Sequence, residues 1–363
     1  MMKVRIALVI CLFWVAAGLY AQPAEKLEEL LRRSGDSLLL DVMRQPLQYQ
    51  LQLIYSPVER DAAGKPSVTS YTYGLDTALY WYPAQTVHLP LAALSLEKLN
   101  GLRIVGLDKY SPLSVGESWQ RVQSPGSVAQ CIQELLSSGT ESAYDPLYAF
   151  LGQGAVQQRL QELGYEDIRI GHRVRGAQPG MTQPVSFRSG DSLLYYQSRM
   201  YDSLQYQLPL KEQLRGVAYI DERGQRQPRP FDFRYEHFIG LPQLHDMLRT
   251  IFLTSGVPAS RRFRLPPADY RFLRGQLANG LPSKHRVLPG PARRYGISGR
   301  GYGFLTEVAY VLDPDSGVEF LMAVSLQLNR NQVYGDGIYE YESIGRPVLA
   351  TLYRLLYAHA SRR

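Results

Sequence analysis

The chain has 363 residues, 45% hydrophobic and 20% charged, so it is long enough to bury a large core. Its net charge of +7 is mild, and the Lys and Arg residues are dispersed without a basic stripe or nucleic-acid motif, which argues against a nucleic-acid partner. Two cysteines are too few for a disulfide framework or a Cys/His zinc cluster.

Residues 1–21 have the features of a cleaved signal peptide. Lys3 and Arg5 precede an apolar run over 6–17, and Gly18-Leu19-Tyr20-Ala21 supplies small residues at the expected cut. Cys11 lies inside the apolar run with no small residue before it, which argues against lipoprotein processing. Removing Lys3 and Arg5 from a charge of +7 leaves +5. No later run of about 20 apolar residues follows, so export to a periplasmic or extracellular location without a transmembrane span is expected. Only Cys131 then remains, in "CIQELL", where a buried thiol is expected. His172, His237, His245, His285 and His359 show no metal-ligand spacing such as H-E-x-x-H, so neither a metal nor a cofactor is expected.

"AEKLEELLRRSG" places leucines at 27, 30 and 31 ahead of Gly35, an amphipathic helix with its stop. Alternating polar and apolar residues on either side of Gly64-Lys65-Pro66 predict a hairpin with strands near 48–55 and 67–73. Helical spacing dominates from 83 to about 164, in "LPLAALSLEKLNGL", "SVAQCIQELLSSG" and "DPLYAFLGQGAVQQRLQELG". Pro90 cannot donate a helical hydrogen bond to Thr86, which predicts a kinked or 3₁₀ first turn. From 171 to 233 the chain is rich in Gly, Pro, Gln and Arg and reads as long loops with a hairpin in "GVAYIDERGQRQPRPFDF". "PQLHDMLRTIFLTSG" and "PPADYRFLRGQLANG" are helices, the second opened by Pro266 and Pro267. "YGFLTEVAYVLDPDSGVEFLMAVSLQL" is two strands about an Asp-Pro-Asp-Ser-Gly turn, and "IGRPVLATLYRLLYAHA" is a closing helix.

Strands at both ends with helices between them predict an α+β fold whose antiparallel sheet is built from the two chain ends. The expected organisation is one domain over 22–363. Its α/β lobe takes about 22–82 and 285–363, and a mostly helical, loop-rich middle takes about 83–284.

The stretch "YWYPAQTVHLPLAALSLEKLN", the helix "AYDPLYAFLG" and the strand "GYGFLTEVAYVLD" together resemble the class A β-lactamase and DD-peptidase-like serine hydrolases, from about 38 to 358. In that superfamily the motifs S-x-x-K, S-D-N and K-T-G meet at a cleft. The resemblance implies a two-lobe serine β-lactamase-like fold, and it places Gln85 and His88 at the serine and lysine of the first motif. Gly139, Thr140 and Glu141 stand at the second, and Ile297, Ser298 and Gly299 at the third. The E-x-x-L-N word of the deacylation loop is absent. Glu162 and Glu166 lie nearby with the wrong spacing and read as solvated helix-end charges.

An amide is no nucleophile, so the acyl-enzyme route has no first step at Gln85. Thr86 and His88 are two residues apart and point to opposite sides of a helix, which denies them a dyad. Ser298 would need a base such as Glu141 or His88 across the cleft. Backbone donors near Gln85 and Arg300, with Arg293 and Arg294 adding charge, are candidate anion contacts; a solvated basic loop is the plainer account. The 26 tyrosines, in runs such as "LLYYQSRMYDSLQY", suit either a carbohydrate-binding surface or ordinary strand packing, which accounts for most of them.

The expectation is therefore an exported pseudoenzyme that binds a peptidoglycan fragment or an envelope protein in the old cleft. The alternatives are a serine hydrolase of an amide or ester with a rearranged site, and a structural envelope protein.

Overall fold

A computed structural model describes residues 24–116, 123–171, 180–202, 206–278 and 288–362. Residues 1–21, read above as a signal peptide, and His172 and His285 lie outside them. The first helix, α1 (Ala24–Arg32), buries Leu27 and Leu31. The second, α2 (Ser37–Arg44), is capped by Asp36, whose carboxylate accepts the Leu39 N–H at 2.9 Å. A single turn, α3 (Pro46–Tyr49), follows, and it ends at Gln50 with φ 42°. Pro46 fixes the first position of that turn. The first strand of the hairpin consequently starts later than alternation suggests, as β1 (Gln52–Arg60), and it pairs with β2 (Pro66–Val68) and β3 (Tyr71–Tyr73). Asp61 closes the loop between them by accepting from the Ala63 and Lys65 N–H groups at 2.9 and 2.8 Å.

The middle of the chain opens with a 3₁₀ turn at Ala84–Val87 that runs into α4 (His88–Leu102). This is how Pro90 is accommodated: it falls in the first turn of the α-helix, where its missing N–H would have had no helical partner. Nearly every residue from His88 to Leu96 is buried, so α4 is the central helix of the larger core. Around it pack α5 (Val128–Ser137), α6 (Glu141–Leu151), α7 (Gln153–Glu162), α8 (Leu241–Phe252) and α9 (Pro267–Ala278).

The middle is less purely helical than its periodicity suggests. A four-stranded sheet joins β4 (Pro112–Val115) and β5 (Gln123–Ser127) to a hairpin hidden in the segment read as loop. Between β5 and that hairpin comes the short β6 (Ile168–Arg169); the hairpin is β7 (Val185–Ser189) and β8 (Ser192–Gln197), turning at Gly190 with φ 53°. The expected hairpin is present in two short ladders. They run through β9 (Leu214–Arg215), β10 (Ala218–Ile220), β11 (Arg226–Gln227) and β12 (Phe231–Asp232), and β13 (Phe238–Ile239) returns to pair with β6.

The main sheet takes β14 (Arg293–Gly301), β15 (Phe304–Leu312) and β16 (Glu319–Gln327) from the far end of the chain and β1 from the near end. A short β17 (Val333–Tyr334) pairs with β10, and α10 (Arg346–Ala360) closes the fold. Along β15 the even positions Phe304, Val308 and Tyr310 belong to the core around α4, while Leu305, Ala309 and Val311 belong to the core with α1, α2 and α10. Both faces of the strand are therefore covered. The antiparallel pairing Ile297↔Val308 and Ser298↔Glu307 assigns β14 in the same way: Ile297 and Gly299 face the α4 side, and Ser298 faces the α10 side.

Candidate functional site

The turn before α4, the α5–α6 connection and β14 bring the first residues of interest together. Ala84 adopts φ 45°, a left-handed conformation that costs an L-residue about 1–2 kcal/mol. That turn carries Gln85 against β14, where its side-chain Oε1 accepts the backbone N–H of Arg300 at 2.9 Å. Gly299 makes the approach possible, because a Cβ there would lie 2.7 Å from the Pro83 carbonyl oxygen and 2.9 Å from the Gln85 nitrogen. Gly139 makes room from the other side. A Cβ on it would stand 2.9 Å from Gln85 Cγ and 3.5 Å from His88 Cε1. Gly139 also has a local reason to be glycine: it follows the end of α5 with φ 71° and sends its N–H to the Glu134 carbonyl at 3.3 Å.

His88 is 5% exposed, and its Nδ1 donates to the Leu135 carbonyl at 3.2 Å, which fixes the tautomer with hydrogen on Nδ1. Burial lowers its pKa to about 4, so the ring is neutral at pH 7. It leans on Tyr144, with ring centroids 5.8 Å apart. The ring sits in the core because α4 is covered on all sides there. Thr86 is fully buried and donates its hydroxyl to the Pro83 carbonyl at 2.6 Å, which makes it a structural residue of the turn.

The other motif positions are spread out. Ile297 is fully buried beside Val308. Ser298 does not look into the cleft: it donates to Glu307 at 2.6 Å and accepts from Arg294 at 3.1 Å on the α10 face. Glu307 also accepts from Arg294 at 2.6 Å and from the Tyr353 hydroxyl. His88 therefore does not activate Ser298, since the sheet lies between that hydroxyl and the α4 side. Thr140 donates to Glu134 at 2.7 Å, and Glu141 is the first residue of α6. Glu162 and Glu166 are exposed, and Glu162 pairs with Arg159 at 3.0 Å.

The proposed anion contact at Gln85 and Arg300 also changes character. The Arg300 N–H is satisfied by Gln85 itself, and its guanidinium pairs with Glu342 at 3.3 Å. Arg294, half-buried on the other sheet face, spends its charge on the buried Glu307. Among the described residues no three His, Cys, Asp or Glu side chains converge as a metal site.

Sequence reading passed over the aromatic rim of this cleft. Tyr82 stacks on His237 at 6.2 Å and meets Tyr302 edge-on at 5.1 Å, and Tyr144 approaches His237 at 6.1 Å. His237 Nδ1 accepts the Gly171 N–H at 3.1 Å, and the Tyr144 hydroxyl donates to the Gly171 carbonyl at 3.1 Å. Tyr82, Tyr144 and Tyr302 lie within the quoted motif stretches, which is the one available signal. A second Ser–His contact, Ser56 Oγ to His245 Nε2 at 3.0 Å, is sealed in the core, where Ser56 is fully buried and no substrate reaches it.

No protein-family model matches the chain, and no curated protein is similar to it. Solved structures are. A β-lactamase from Burkholderia vietnamiensis has a TM-score of 0.53 at 12% identity, over 90% of this chain and 96% of that one. A β-lactamase from Desulfarculus baarsii DSM 2075 has a TM-score of 0.52 at 12% identity, over 93% and 98%. The structure of PBP-A has a TM-score of 0.50 at 14% identity, over 90% and 96%. The chain has the mixed α and β fold of the β-lactamase and DD-peptidase-like serine hydrolases, with the antiparallel sheet and flanking helices expected.

Proposed function

We propose that this is an exported protein of β-lactamase-like fold that has lost acyl transfer and works by binding, with a peptidoglycan fragment or an envelope protein as the ligand of its old cleft. The observation that carries the reading is the Gln85–Arg300 hydrogen bond. A side chain with no nucleophilic atom occupies the first motif position and consumes the adjacent strand N–H, a backbone donor of the kind that stabilises an oxyanion. The neutral, buried His88 and the apolar Ile297 replace both cations of the motifs. The aromatic rim of Tyr82, Tyr144, His237 and Tyr302 supports a binding role, since such rings pack against sugar and peptide surfaces. Export rests on residues 1–21. Among the described residues no helix is long and apolar enough to cross a membrane.

The test is incubation with a fluorescent penicillin and a fluorophosphonate, read by intact-protein mass spectrometry, beside thermal shift with muropeptides. Unmodified protein with a raised melting temperature is expected. A covalent adduct would overturn the loss of catalysis, and unchanged melting with every muropeptide would overturn the proposed cell-wall ligand.

A further inference from the structure

A cavity of 730 Å³ lies at the far end of α4, between that helix, α7 and the segment leading into α9. At 1.5 Å per residue it is about 20 Å along the helix from Gln85. Its floor is apolar, from Leu94, Leu151 and Ala155, while its polar lining contains four cations against one carboxylate.

Three of those charges are already used. Glu97 accepts from Arg159 at 2.6 Å and from the Arg264 backbone N–H at 3.0 Å. Lys98 spends its ammonium on the Phe150 and Leu151 carbonyls at the end of α6 and on Gln197 at 2.7 Å. Arg103 and Arg264 remain: both are exposed, and among the described residues neither side chain forms an ion pair. Arg103 also holds φ 52° at the C-terminus of α4, where glycine would avoid the strain. A second hollow of 250 Å³ adjoins its other side, with Leu99, Ile104 and Leu107 in the lining.

We infer that this cavity is a second binding site, for an amphipathic anion whose carboxylate or phosphate head lies between Arg103 and Arg264 and whose apolar body rests on Leu94 and Leu151. Its volume is that of a small-molecule site. Guanidinium groups suit both oxyanion heads because their paired N–H donors match two oxygens at once.

Calorimetric titration of the full chain with octanoate, octyl phosphate, octanol and inorganic phosphate tests the site. At least one of the two charged amphiphiles should bind about tenfold or more tighter than octanol, a difference of about 1.4 kcal/mol, and the preferred head says which anion the site takes. Arg264→Gln and Arg103→Gly should each weaken that binding severalfold, and Arg103→Gly should leave the melting temperature unchanged or higher because it relieves the left-handed residue. Gly101→Trp should block the cavity, since a Cβ there meets no atom within 4 Å and the ring can fill the space. Equal affinity for octanol, equal affinity for inorganic phosphate, or undiminished binding by folded Gly101→Trp protein would each overturn the assignment.

Discussion

Gly139 and Gln85 are expected to be energetically coupled, and a double-mutant cycle measures by how much. Gly139→Ala adds a Cβ in a left-handed conformation, at about 1–2 kcal/mol, and drives it to 2.9 Å from Gln85 Cγ. Overpacking of this kind costs about 1–3 kcal/mol, so the single variant should lose about 2–5 kcal/mol. In a Gln85→Ala background the Cγ is gone, and the nearest remaining contacts are His88 Cε1 at 3.5 Å and the residue 85 Cβ at 3.8 Å, both ordinary van der Waals separations. Only the backbone strain then remains, and the same Gly139→Ala change should cost about 1–2 kcal/mol. The coupling is thus about 1–3 kcal/mol, read from urea unfolding of the four proteins at pH 7.5. Independent sites add to within about 0.5 kcal/mol, so additivity at that level would refute the idea that residues 85 and 139 constrain each other.

Acid stability should report the buried histidines. Burial holds His88 and His245 at pKa values of about 4, below the 6.5 of a free imidazole. As pH falls through 6.5 the unfolded chain takes up these protons first. Stability is therefore full above pH 6.5 and is lost toward pH 4, by about 2 kcal/mol for each ring at pH 5. His88→Asn should remove about half of that slope between pH 7 and 5, and a flat wild-type profile would show that the rings are not sealed. On the other sheet face, Glu307→Ala leaves the half-buried Arg294 without its carboxylate and should cost about 3 kcal/mol in urea unfolding. Ser298→Ala should cost only about 1–2 kcal/mol by the same assay and leave muropeptide thermal shifts unchanged, because its hydroxyl serves Glu307 and not the cleft.

The elements legible in the sequence were those whose local signals agree with their surroundings. The Asp-Pro-Asp-Ser-Gly turn between β15 and β16 is one, and the apolar stripes of α5 and α8 are others. What escaped was set by contacts distant in the chain. The β7–β8 hairpin carries polar residues such as Ser186, Arg188 and Gln197, and nothing local says that β4 will pair with it. At β14 the alternation of period 2 is visible, yet both faces are covered, so the pattern could not tell which face Ser298 would share. The three motif positions were placed by likeness alone. That the Gln85 amide meets the Arg300 N–H follows only from the fold.

The missing side chain at Gly139 has a consequence for mutational history. While residue 85 extends to a Cγ, any side chain at 139 meets it at 2.9 Å, and while residue 85 is glutamine, the Arg300 N–H has an internal partner. A serine placed at 139 alone would therefore be penalised, so position 85 has to shorten first. The order in which the two positions can accept new side chains is thus constrained in one direction, and its first step gives up a hydrogen bond.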